Sequence, residues 1–164
     1  MLSHKAAEIF LKAENVALFC HTKPDPDTIG SALALRHALV KKGKNVAIFC
    51  DTPLKGRLSF VEGYETIRQE FYGKYDLHAA LDCGDSLRMG ELYEAFFRCK
   101  NTVNIDHHHL SNDKFARFNW VENKASVCQM VLEIVHAMGV EVDKTIADAV
   151  MSGIVTDTNC FSNT

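Results

Sequence analysis

Short, nearly continuous apolar runs alternate along this chain with longer stretches whose apolar positions recur every three or four residues. The runs 16–20 (VALFC), 46–50 (VAIFC), 77–81 (LHAAL) and 102–105 (TVNI) have the pattern of strands buried on both faces. Helical spacing covers 29–40, 87–99, 125–138 and 144–155. An N-terminal helix precedes the first strand, with Ser3 as its expected cap and Ala6, Ile9, Phe10 and Ala13 sharing one side. Lys41 and Lys42 close the second helix, and Gly43 is its expected C′ residue. Residues 115–121 alternate loosely and read as an edge strand. The stretch 52–73, with its proline, glycines and scattered aromatics, is the least regular and is expected to hold a short helix over 57–62.

Strands of this type alternating with helices predict an α/β fold, an open and mainly parallel sheet flanked by helices, in a single domain. In such sheets ligands collect outside the carboxyl ends of the strands. Four polar clusters draw attention for that reason: His21-Thr22-Lys23-Pro24-Asp25-Pro26-Asp27, Asp82-Cys83-Gly84-Asp85, Asp106-His107-His108-His109 and Thr156-Asp157-Thr158. Three follow a predicted strand directly, and Asp157 lies at the end of a predicted helix. Carboxylates and imidazoles crowd together at a cost unless a cation neutralises them, so the four clusters read as one metal site assembled by folding.

Pro24 and Pro26 stiffen the first cluster, and alternate residues of an extended segment point opposite ways, so Asp25 and Asp27 are placed to reach two different ions. The helix opening at Asp27, Thr28, Gly30 and Ser31 offers its N-terminus to a phosphate, although capping alone would also account for these residues. Asp82 is a strand-end carboxylate facing other carboxylates, which is costly without a cation. Carboxylates with one or two imidazoles suit Mn²⁺, with Mg²⁺ as the alternative. His109 reads as a solvated loop residue, His78 as structural, and His4, His37 and His136 as surface or half-buried. Trp120 reads as a core or edge-strand aromatic.

The chain has 164 residues, 47% hydrophobic and 24% charged, with a formal net charge of −3. That balance argues against a protein that grips long nucleic acid electrostatically. The six cysteines, without a CxxC pair, argue against a zinc finger. Cys20, Cys50, Cys99 and Cys128 lie in apolar runs, as small buried hydrophobes of a reducing compartment do. No signal-peptide core or membrane-length apolar run is present, so a cytoplasmic protein is expected. A homodimer is left open.

HTKPDPDTIGSA, LDCGDSLRMG, NIDHHHLSN and GIVTDT, in this order, resemble the DHH phosphoesterase superfamily across its N-terminal catalytic domain, here 1–164. The segment DCGDSLRMG is most similar to the oligoribonuclease/pAp phosphatase branch. The chain stops at Thr164, and the smaller DHHA1-type C-terminal domain of relatives is expected to be absent. The resemblance implies a hydrolase with two ions, one held by His21, Asp25 and Asp82, the other by Asp27, Asp82, His107 and Asp157. It also implies that His108 binds phosphate or protonates the leaving oxygen, while Asp106 orients His107. Ser31, Arg88 and His108 are the expected substrate-binding residues, and short oligonucleotides or 3′-phosphoadenosine 5′-phosphate (pAp) the expected substrates. Competing readings are an inorganic pyrophosphatase, a cyclic-dinucleotide phosphodiesterase, and a metal-binding or regulatory domain with little activity alone. A Rossmann nucleotide-binding module is disfavoured because no GxGxxG follows the first strand.

Overall fold

The apolar runs all become strands of one sheet. The computed structural model describes residues 1–54, 56, 58–109 and 113–162. Five strands, β1 (Asn15–Cys20), β2 (Asn45–Phe49), β3 (Leu77–Leu81), β4 (Thr102–Asp106) and β5 (Phe118–Val121), pair in the order β2-β1-β3-β4-β5. Every pairing is parallel. Parallel strands are covered on both faces, which is why their sequences read as continuous apolar runs. Along β1, Val16, Leu18 and Cys20 join one core cluster while Ala17 and Phe19 join the other.

The larger cluster lies under helices α1 (Leu2–Lys12), α2 (Pro26–Lys41), α4 (Val127–Ala137) and α5 (Lys144–Asp157). On the opposite face is a single helical turn, α3 (Tyr93–Phe96), with a set of aromatic rings. Phe19 sits at their centre, with ring centroids of Phe49, Phe71 and Phe96 at 5.8, 5.7 and 5.4 Å. Burying such a ring contributes about 1.5–3 kcal/mol. His78 is buried in the same set, its Nδ1 2.9 Å from the Phe96 carbonyl, a structural role as expected. The chain runs from β1 outward to β2 and returns to β3 on the other side of β1, so the winding changes direction between β1 and β3. In open sheets ligands collect at such a point, outside the strand ends.

Several expected boundaries shift. Ser3 is buried inside α1 and caps nothing; Met1 holds the cap position. The helix expected over 87–99 is instead a 3-10 segment, Ser86–Leu92, broken at Gly90 and followed by α3. Gly90 has φ 61° and ψ −132°, a region essentially reserved for glycine, and the Asp51 carboxylate occupies the space a Cβ would need. Of the helix expected over 57–62, residue 57 lies outside the described residues and the rest form turns, with a short 3-10 turn at Tyr64–Thr66 beyond them. The edge strand is confined to Phe118–Val121, because the Asn119 side chain turns back on the backbone of Ala116. Gly43, at φ 77°, does follow α2 as a left-handed C′ residue. Cys83 is buried and Cys99 only half so, the reverse of what their surroundings in the sequence suggest; Cys160 is exposed and all six thiols are free. Among the described residues, no helix is long and apolar enough to cross a membrane.

Candidate metal centre

At the carboxyl ends of β1, β3 and β4 the chain turns into the three strand-end clusters. His21 follows β1 and is buried; its Nδ1 lies 2.7 Å from the Thr22 carbonyl. That contact assigns the proton to Nδ1 and leaves the Nε2 lone pair facing Asp25 Oδ2 at 3.5 Å and Asp82 Oδ2 at 3.3 Å. Asp25 divides its carboxylate. Oδ1 caps α2 by accepting the backbone N–H groups of Asp27 and Thr28, and Oδ2 turns to His21. Capping and site duty are therefore compatible in one residue.

Asp82 follows β3 in the left-handed region, at φ 60°. For a residue with a Cβ this conformation costs about 1–2 kcal/mol. It is held there because Asp82 N–H still pairs with the Ile105 carbonyl and Thr28 Oγ1 donates to the Leu81 carbonyl at 2.9 Å. The second bond also ties the start of α2 to the end of β3, bringing Asp25 and Asp27 beside Asp82. While Oδ2 of Asp82 faces His21, its Oδ1 lies 3.6 Å from His107 Nε2 and 3.4 Å from His108 Nδ1.

His107 repeats the arrangement of His21. Its Nδ1 is 3.2 Å from the Lys124 carbonyl, and its Nε2 faces Asp157 Oδ2 at 3.1 Å and Asp27 Oδ2 at 4.0 Å. Asp157 is the last residue of α5, so tertiary packing alone brings it in. Asp106 is fully buried and its Oδ1 accepts from both the backbone and Nδ1 of His108, at 3.2 and 3.0 Å. The partner of Asp106 is therefore His108; His107, its expected partner, is oriented by the Lys124 carbonyl.

Among the described residues, three groups have ligand atoms within 4.8 Å of one another: His21, Asp25 and Asp82; Asp27, His107 and Asp157; and Asp82, His107 and His108. His21 Nε2, Asp82 Oδ1, Asp106 Oδ2 and His107 Nε2 are buried without a hydrogen-bond partner. Lone pairs converging on one another in a buried space are what a cation relieves, so the donor set fits divalent metal. Without metal, the same convergence of carboxylates favours protons on the imidazoles. Burial opposes a charged His21 ring, but the carboxylates of Asp25 and Asp82 outweigh it and raise the ring to about 9. His108 is raised to about 10, by Asp106 first and then Asp82. Burial, and then the charge of Asp82, raises Asp27; on Asp82 burial is overcome by His108 and His21, which lower it.

Sequence reasoning missed the support beneath Asp27. Its two oxygens accept the backbone N–H groups of Val127 and Cys128 at 2.7 and 2.9 Å, placing a fully buried carboxylate on the N-terminus of α4. The S-x-x-Q pattern at Ser126–Gln129 announces that helix start, and Ser126 does cap it, but nothing local says which carboxylate it meets. Of the expected substrate residues, His108 is at the cluster with its side chain 43% exposed. Arg88 is half-buried, and its carbonyl accepts the N–H of Thr22 at 2.7 Å. Ser31 is fully buried and donates to the Thr28 carbonyl, so it is not brought together with the others. His109, 60% exposed, stays outside.

Known proteins share both the sequence pattern and the fold. The chain is 35% identical over 159 residues to the bifunctional oligoribonuclease and PAP phosphatase NrnA of Thermus thermophilus, which covers 94% of this chain and 47% of that protein. It is 26% identical over 152 residues to the protein of the same name from Bacillus subtilis, covering 90% and 47%. The chain thus spans about half the length of the curated relatives it matches. A crystal structure of an exopolyphosphatase-related protein from Bacteroides fragilis superposes with a TM-score of 0.89 at 25% identity, over 98% of this chain and 51% of that one. RecJ from Thermus thermophilus, at TM-score 0.57 and 18% identity, over 96% of this chain and 24% of that one, shares the fold. The model of the DHH family, N-terminal domain, matches residues 15–154, a span that takes in the first three clusters whole and ends three residues short of Asp157. This chain belongs to the DHH family.

Proposed function

We propose that this chain is the catalytic domain of a two-metal phosphoesterase that uses Mn²⁺ and acts on short oligonucleotides or on pAp. The observation that carries the reading is the divided carboxylate of Asp82, one oxygen facing His21 and the other facing His107 and His108. His21, Asp25 and Asp82 would hold one ion, and Asp27, Asp82, His107 and Asp157 the other. Four carboxylates then balance two divalent charges, and the imidazoles favour Mn²⁺ over the harder Mg²⁺ or Ca²⁺. When bound, two such ions supply Lewis-acid activation of a phosphoryl group and of an attacking water.

The rest is done by side chains of this chain. Asp106 accepts from Nδ1 of His108 and so positions its partly exposed ring, which can offer a donor to a phosphoryl or leaving oxygen. The carbonyls of Thr22 and Lys124 hold the His21 and His107 rings in the tautomer that presents Nε2. Amides of α4 hold Asp27 in place. Short oligonucleotides and pAp are favoured because relatives at 35% and 26% identity carry the names of those activities. The net charge of −3 speaks against long nucleic acid. A panel of pApA, pAp, cyclic-di-AMP and pyrophosphate with Mn²⁺ tests the substrate class. Release of AMP from pApA or of phosphate from pAp is the expected result; turnover of pyrophosphate alone would overturn it.

A further inference from the structure

A concavity lies at the opposite end of the sheet from the metal-ligand cluster, where the strands begin. It has a volume of about 450 Å³ and is walled by α1 and the first residues of β3, β4 and β5. The metal-ligand cluster sits at the other ends of β1, β3 and β4, so the two sites are separated by the length of the strands, roughly 17 Å. The cavity falls within the size range of small-molecule pockets. Its accessible apolar part comes from Ile9 and Phe118, with Leu77 buried behind them. Three cations, Lys5, Lys12 and Arg117, stand around it, in a chain whose net charge is −3.

Two features separate this cluster from ordinary solvated lysines. None of the three cations has a carboxylate within 4.0 Å among the described residues, whereas Lys41, Lys44, Lys124 and Lys144 all do. Asp76, the one acid lining the cavity, accepts the N–H groups of Glu14 and Asn15 with its two oxygens, at 3.0 Å each, and so is engaged by the backbone. The cations are also placed. Lys5 Nζ lies 5.5 Å from the Phe118 ring centroid, and Arg117 donates one N–H to Asn101 Oδ1 at 3.2 Å, which leaves most of its guanidinium donors for another acceptor.

We infer that this cavity binds a small anion carrying a flat apolar body, a nucleoside monophosphate being its simplest representative, with the phosphate against Lys5, Lys12 and Arg117 and the base against Phe118 and Ile9. Two-point recognition of this kind needs both halves of the ligand, the charge for the cations and the body for the apolar wall. The inference does not depend on the proposed phosphoesterase activity, because it uses none of the same residues.

Residue-resolved NMR of the Mg²⁺-loaded chain, titrated with AMP, adenosine and inorganic phosphate in turn, tests it. The amides of Leu77, Thr102 and Phe118 should shift and saturate with AMP, and the other two probes should need at least about tenfold higher concentration. Lys12→Gln with Arg117→Gln should weaken that AMP response by about tenfold or more while leaving the remaining resonances in place. Shifts confined to the residues around Asp82 would mean that AMP binds only at the metal centre and would overturn the inference. Equal responses to adenosine and AMP would overturn the anion half of it.

Discussion

Gly153 passes so close to Asp27 that a Cβ on it would lie 2.7 Å from the carboxylate Oδ1, and closer still to the Cys128 sulfur. The absence of a side chain lets α5 pack against the starts of α2 and α4, and four residues later α5 ends at Asp157. Helix packing and metal-site assembly thus meet at one glycine. Gly153→Ala should raise helix propensity by about 1 kcal/mol, but the overlap with the buried Cys128 sulfur and a buried carboxylate should cost more, about 1–3 kcal/mol. We expect a lower melting temperature and weaker Mn²⁺ binding, read by calorimetry; unchanged binding would mean that α5 can move without displacing Asp157.

Asp82 and His108 should separate metal binding from turnover. Asp82→Asn keeps the shape of the side chain but removes the charge shared between the two groups of ligands, so bound metal should collapse. His108→Ala should retain metal and lose about 10²–10⁴-fold in turnover of bis-p-nitrophenyl phosphate. Elemental analysis of the two purified variants checks this. Equal metal loss in both would move His108 into the ligand set.

Asp106→Asn should follow His108, since the Asp106 carboxylate bonds that ring. With the carboxylate gone, the support that raises His108 to about 10 in the metal-free chain weakens, and its titration there, followed by NMR, should move down. A His108 titration indifferent to Asp106 would contradict the pairing.

The metal-free protein should lose stability as pH rises. His21 is raised from 6.5 to about 9, so its contribution is present below pH 6.5 and fades as pH climbs through 9. The size of that shift corresponds to about 3 kcal/mol. Asp27, also raised, acts in the same direction because the folded state holds its proton longer. Metal must displace these protons, so Mn²⁺ affinity should strengthen over the same pH range. Melting curves in chelator and in Mn²⁺ between pH 6 and 9 check both signs, and the gap between the two curves should widen with pH.

Much of this was legible in the residues. Doubly buried strands announce themselves as apolar runs, and a polar cluster at a strand's carboxyl end needs only the parallel topology to become a site. The 3-10 segment before α3 was not legible, because residues 87–99 have helical spacing and the break at Gly90 is set by Asp51, about 40 positions earlier on another strand end. The same limit applies to Asp106. Adjacency in sequence suggested that it steadied His107, but beyond a strand end the backbone turns His108 onto it instead. The α4 amides beneath Asp27 come from 100 residues away and leave no local trace.

Asp82, facing His21 with one oxygen and His107 with the other, would bridge the two proposed ions. Electron paramagnetic resonance during a Mn²⁺ titration of the metal-free chain tests this bridge most directly. Two Mn²⁺ ions sharing the Asp82 carboxylate would be exchange-coupled. The spectrum of a coupled pair should grow in as the second ion binds and disappear in Asp82→Asn. A chain that saturates with one ion, or binds two with the spectra of isolated Mn²⁺, would contradict the bridge.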